Sequence, residues 1–197
     1  MKTVYGIGIK DREYPAWRDG RSVKEYVAWC GMLTRCTEKW WHIFPTYQGT
    51  TCSENFKHYS FFYEWCQQQI GFGNTDDKGK IWQLDKDILI KGNKVYSEDV
   101  CVFVPQRINY LLLKSNNSRG DYPVGVSKSS GCRSFTACCN INGIVKYIGS
   151  FKTPEEAFSA YKIFKQKAIC DVAIQYKDKI DSRVYDALLN YSVDMSD

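Results

Sequence analysis

The chain has 197 residues, 44% hydrophobic and 15% aromatic, with 27 Lys and Arg against 22 Asp and Glu and a formal charge of +5. Such a composition can bury a substantial core, which excludes a disordered chain. No stretch approaches the roughly eighteen uncharged apolar residues of a membrane span, and the opening "MKTVYGIGIKDREYPAWRDG" is too charged for a secretory leader. A soluble, cytoplasmic protein without membrane contact is therefore expected.

The nine cysteines, Cys30, Cys36, Cys52, Cys66, Cys101, Cys132, Cys138, Cys139 and Cys170, contain no Cys-x-x-Cys pair. They are read as reduced, mostly small core side chains rather than zinc ligands.

Residues 21–36, "RSVKEYVAWCGMLTRC", space Val23, Tyr26, Val27, Cys30 and Leu33 at three- and four-residue intervals. This predicts a helix that buries that stripe and leaves Lys24 and Arg35 outside. The polar segment "FPTYQGTTCSEN" reads as a loop. Next, "YSFFYEWCQQQIGFG" gives Phe61, Phe62, Trp65, Cys66 and Ile70 a second helical stripe ended by glycine. His42 follows a double tryptophan and His58 lies among Phe56, Tyr59 and Phe61, so packing or a local hydrogen bond accounts for both.

Residues 83–109, "QLDKDILIKGNKVYSEDVCVFVPQRIN", set two acids around a lysine, turn at Gly92-Asn93 and close on an apolar strand. A helix from about Pro105 to Leu113 follows. "KSNNSRGDYP" then reads as a linker, which divides the chain into residues 1–113 and 114–197. From Lys114 to Arg133 the chain holds Lys114, Arg119, Lys128 and Arg133 against Asp121 alone, a patch able to neutralise phosphates.

In the last third, "RSFTACCNI" alternates Phe135, Ala137, Cys139 and Ile141 with Ser134, Thr136, Cys138 and Asn140, and Asn142-Gly143 supplies a tight turn. "IVKYIGSF" returns as a strand. In the helix that follows, Thr153 caps, Pro154 takes the first position and Glu156 completes a capping box. Its apolar stripe is Ala157, Tyr161, Phe164, Ala168 and Val172. The fold class expected is α+β: a helical N-terminal module with a β-hairpin and helix, then a three-stranded antiparallel sheet covered by one helix.

Residues 119 to about 169 resemble the Apetala/ethylene-response-factor type of DNA-binding domain, through "RGDYPVGVS", "FTACCNINGIVKYIGSF" and "TPEEAFSAYK". The resemblance implies that the open sheet face enters the major groove of double-stranded DNA. Ser127, Lys128, Arg133, Thr136, Cys138, Asn140, Lys146 and Tyr147 would lie on or near that face, and Tyr147 matches a family aromatic that packs on the DNA backbone. Ser127, Asn140 and Val145 stand where the plant domains place arginine, so weaker affinity and a different sequence preference are implied. A sheet used only for folding or protein contact is the alternative.

Residues 29–109 are similar to HNH-related proteins of tailed phages, through "WCGMLTRC", "FKHYSFFYEWCQQQIGF" and "LDKDILIKGNKVYSEDVCVFVPQRIN". That resemblance implies an HNH-like hairpin and helix, with Asp85 and Asn109 as ligands of Mg or another divalent cation and Asn93 as the orienting asparagine. Lys86 occupies the catalytic position of the histidine base. An exposed lysine is protonated at neutral pH and cannot take a proton from water. The expectation is a phage DNA-binding protein related to homing endonucleases, with weakened or lost cleavage and, without cleavage, no cofactor. Two alternatives stay open: an active metal-dependent nicking endonuclease, and a counter-defence inhibitor or adaptor that binds a host defence protein.

Overall fold

The computed structural model describes residues 3–11, 13–113 and 121–195. The fold is α+β, with a helical N-terminal part and a three-stranded antiparallel sheet packed against a long helix. Two compact units form, Met1–Gln106 with Lys179–Val184, and Arg107–Asp178 with Tyr185–Asp197. Most of the basic linker, residues 114–120 with Lys114 and Arg119, lies outside the described residues. Among the described residues no helix is long and apolar enough to cross a membrane.

The first unit begins with a hairpin of β1 (Trp17–Arg18) and β2 (Arg21–Ser22). Asp19 and Gly20 both have positive φ, 51° and 74°, the pair that a two-residue turn of type I′ requires. Helices α1 (Lys24–Arg35) and α2 (Glu38–Ile43), strand β3 (Thr51–Cys52), and helices α3 (Glu54–Lys57) and α4 (Tyr59–Gln68) follow. The segment expected to be a plain loop thus also contains a short strand and, at Pro45–Tyr47, a turn of 3-10 helix. Thr37 and Ser53 cap α2 and α3, accepting from the Trp40 and Phe56 amides.

The core joins Trp29, Met32, Leu33 and Cys36 of the α1 region to Phe56, Tyr59, Phe62, Trp65 and Cys66. Trp29 Nε1 donates to the Phe56 carbonyl at 2.8 Å, which satisfies the one polar atom of a fully buried indole. The α1 stripe is rotated from the one the spacing suggested: Val27 is exposed, whereas Trp29 and Met32 are buried. Ile70, expected on the second stripe, lies past the end of α4 and is exposed. Large aromatics claim the interior because each buries more surface than a valine or isoleucine.

Strand β4 (Gln83–Asp85) pairs antiparallel with β6 (Val102–Val104), and β5 (Val95–Tyr96) between them in sequence pairs parallel with β3. Helix α5 (Gln106–Leu111) comes next.

In the second unit, β7 (Val126–Ser127), β8 (Phe135–Ile141) and β9 (Ile144–Phe151) form one sheet in that order. Asn142 and Gly143 turn the β8–β9 hairpin with φ of 55° and 82°. Helix α6 (Pro154–Tyr176) covers one face, burying Val126, Ala137 and Cys139 against Ala157, Phe158 and Tyr161. Thr153 Oγ1 accepts from the Glu156 amide at 3.2 Å and Glu156 Oε2 accepts from the Lys152 amide at 3.0 Å, the reciprocal bonding of a capping box moved one residue outward. The buried seam of α6 runs through Lys165 and Ile169, while Phe164 and Ala168 are half-buried. A last helix, α7, spans Ser182–Leu189.

Candidate nucleic-acid interface

Cross-strand register assigns each residue of the sheet to a face, because paired residues share a side and neighbours along a strand alternate. Ala137, opposite Val126 and Gly149, belongs to the covered side. The open side carries three rows: Ser127, Thr136 and Ser150; Cys138 and Tyr147; Asn140 and Val145. The pairing steps from Ala137–Gly149 to Cys138–Tyr147, which leaves Ile148 as an extra residue turned to the core. This irregularity resets the alternation of β9. Tyr147 and Ser150, three residues apart, therefore meet on one face with their hydroxyls 3.0 Å apart.

Lys146 pairs with Cys139 and so belongs by register to the covered side, although its side chain stays exposed. Of these two residues expected on or near the open face, Tyr147 lies on it and Lys146 beside it, since adjacent residues of one strand point to opposite sides.

Lys128 and Arg133 lie in the loop joining β7 to β8, next to the Ser127–Thr136 row, and both are exposed. Lys128 Nζ stands 4.6 Å from the centre of the Phe135 ring, a cation–π contact that steadies a flexible side chain. Arg133 lines an open cleft of about 570 Å³ with Cys132, Ser134, Ser150, Lys152 and Glu156. Lys152 and Ser150 were not singled out from the sequence. The signal that could have found Lys152 is its position one residue before the helix cap, at the end of the strand that carries Tyr147.

In the first unit, residues 85–95 form a turn whose polar side chains bond its own backbone. Asp85 Oδ1 accepts from the Asp87 and Ile88 amides, both at 2.9 Å. Asn93 Nδ2 donates to the Lys86 and Val95 carbonyls at 2.7 Å, and Asn93 Oδ1 accepts from the Val95 amide at 3.1 Å. Lys86 is only 7% exposed. Its Nζ donates to the Asn93 carbonyl at 2.9 Å, stands 3.5 Å from Asp87 Oδ2 and lies 5.9 Å from the centre of the Tyr96 ring. The expectation of an exposed lysine is thus corrected: it is a buried cation whose donor already has backbone, carboxylate and aromatic partners.

Burial, with the Asp87 carboxylate second, pushes the Asp85 carboxyl up from 3.8 to about 6. The unfolded chain then ionises near pH 4 while the fold holds its proton to near pH 6, so stability falls as pH rises through that window. Asp85→Asn, which keeps an oxygen for the two amides, is expected to remove the fall and to gain about 1–2 kcal/mol at pH 7 after solvent screening. Urea titrations at pH 4, 5, 6 and 7 check this, and an unchanged slope in the variant would refute it.

Asn109 sits on α5, in the second unit. Asp85, the other residue expected as a ligand, ends β4 in the first unit. Among the described residues there is no group of three or more His, Cys, Asp or Glu side chains placed to hold a metal ion. His42 and His58 are exposed, on the last turn of α2 and at the cap of α4. All nine cysteines are free thiols, four of them buried. Comparison with family models, curated proteins and solved structures finds no match to this chain.

Proposed function

We propose that this chain is a double-stranded DNA-binding protein, of the kind phages carry beside HNH homing endonucleases, and that it acts without strong cleavage. The observation that carries the reading is the open face of β7–β8–β9. It bears Ser127, Thr136, Asn140 and Tyr147, with Lys128, Arg133 and Lys152 at one end, and lies opposite the helix-covered side. A two-stranded ribbon fits the major groove, cations meet phosphates, and hydroxyls and amides can read base edges. Weak cleavage follows from Lys86, whose ammonium is already committed to the Asn93 carbonyl.

Duplex DNA is expected to be retarded in a gel, with affinity falling steeply as salt rises. Lys128→Ala and Arg133→Ala should each lower the slope of log K against log salt by about 1, and Tyr147→Ala should weaken binding with the slope kept. Absent or salt-insensitive binding would overturn the reading.

Supercoiled plasmid incubated with Mg²⁺ or Mn²⁺ tests the nuclease alternative; nicking by wild type but not by Asp85→Ala would establish it. A second reading, an adaptor for a host defence protein, draws on the apolar end of the same hairpin, where Ile144 and Val145 are 59% and 65% exposed. A stoichiometric protein partner retained after nuclease treatment, together with no DNA retardation, would favour it.

A further inference from the structure

The β1–β2 hairpin lies outside the elements used above, and two of its features cost the fold something. Arg18 and Arg21 are direct cross-strand partners and both are exposed; like charges placed opposite each other in a ribbon repel. Among the described residues neither guanidinium has a hydrogen bond or ion pair that would offset the repulsion. Beside them Trp17 is 63% exposed, although an indole gains more than most side chains from burial.

The hairpin is also held in place. The Val23 amide donates to the Ala16 carbonyl at 3.0 Å, Ala16 is buried, and Tyr59 Oη donates to the Pro15 carbonyl at 3.0 Å. A fixed ribbon that presents two unneutralised cations and a bare indole is suited to an anionic ligand that also has a flat apolar surface.

We infer that this hairpin binds single-stranded nucleic acid. Arg18 and Arg21 hold phosphodiester charge, and Trp17 stacks an unpaired base. By alternation the two arginines share one side of the ribbon and Trp17 shares the other with Ser22. A flexible strand can wrap the ribbon edge and reach both sides, with its phosphates on the arginine side and one base on the indole. Paired bases in a duplex offer no free face to the indole, so single strands are preferred.

The test uses the full chain and a fluorescein-labelled single-stranded DNA 20-mer, its duplex, and vesicles of phosphatidylserine and phosphatidylcholine. Trp17→Ala is expected to weaken single-strand binding about 10-fold or more without changing the salt slope, and Trp17→Phe to recover most of the loss. Arg18→Ala/Arg21→Ala is expected to lower the slope by about 1.4, at about 0.7 per phosphate contact on single strands.

Duplex binding should be unaffected by the hairpin variants, and Lys128→Ala/Arg133→Ala should leave single-strand binding unchanged, so this proposal and the sheet reading fail separately. Thermal melts control for folding; removing the arginine pair should keep or raise the melting temperature. The proposal is overturned if the hairpin variants bind the 20-mer like wild type, if they lose duplex binding equally, or if vesicles rather than oligonucleotides respond to them.

Discussion

Replacing Gly125 by alanine is expected to cost the second unit about 2–5 kcal/mol. Gly125 has φ of +77°, and a Cβ there would come within 2.1 Å of the Tyr161 ring. The left-handed backbone alone costs an L-residue about 1–2 kcal/mol. The overlap adds about 1–3 kcal/mol, because Tyr161 is buried in the seam between α6 and the sheet and cannot move without opening it. Gly125 also anchors β7, its carbonyl accepting from the Cys138 amide at 2.8 Å. Gly131→Ala is the control, with a similar φ of +79° but no atom within 4 Å of its Cβ, and should cost only about 1–2 kcal/mol. Urea unfolding followed by hydrogen exchange in β8 and β9 measures both. Equal costs for the two variants would show that Tyr161 does not pack as described. If the proposed sheet interface is right, duplex binding should fall with the folded fraction of Gly125→Ala.

The second large effect is expected at Lys86, where alanine should cost about 3 kcal/mol. Truncation leaves the Asn93 carbonyl without the donor it has at 2.9 Å, worth about 1–3 kcal/mol at a buried site. It also removes the aliphatic stem and the ammonium packed toward Tyr96, which is itself only 2% exposed. Lys86→Met keeps the stem and should recover the packing part of the loss. Lys86→His is the more informative change, since it installs the histidine base that the proposed relation to HNH endonucleases calls for. The shorter imidazole cannot reproduce the lysine's partners, so destabilisation without plasmid nicking is expected. Denaturant midpoints and a nicking assay read the two properties separately. A neutral Lys86→Ala would mean that the ammonium does not hold the turn; nicking by Lys86→His would mean that the site lacks only its base.

Local signals in the amino-acid order determined much of the second unit. Phe135, Ala137, Cys139 and Ile141 alternate with polar residues, Asn142-Gly143 makes a two-residue turn with both φ positive, and Thr153-Pro154 starts α6. Each signal spans a few residues and rests on backbone geometry or a single face of burial, so no distant contact is needed to read it. The α+β class and the helices at Lys24–Arg35 and Tyr59–Gln68 were legible for the same reason.

Other features depend on contacts between residues far apart in the chain, and only the tertiary structure decided them. The face that α1 buries follows from the packing of Trp29 against Phe56 and Tyr59, which outweighs the spacing of Val23 and Val27. The parallel pairing of β3 with β5 joins residues more than forty positions apart. Lys86 is interior because the 85–95 turn folds back over Tyr96, and no local pattern distinguishes a lysine that will meet a carbonyl from one that will meet water. The extra residue Ile148 places Tyr147 beside Ser150, because packing a single isoleucine into the core shifts the parity of everything after it.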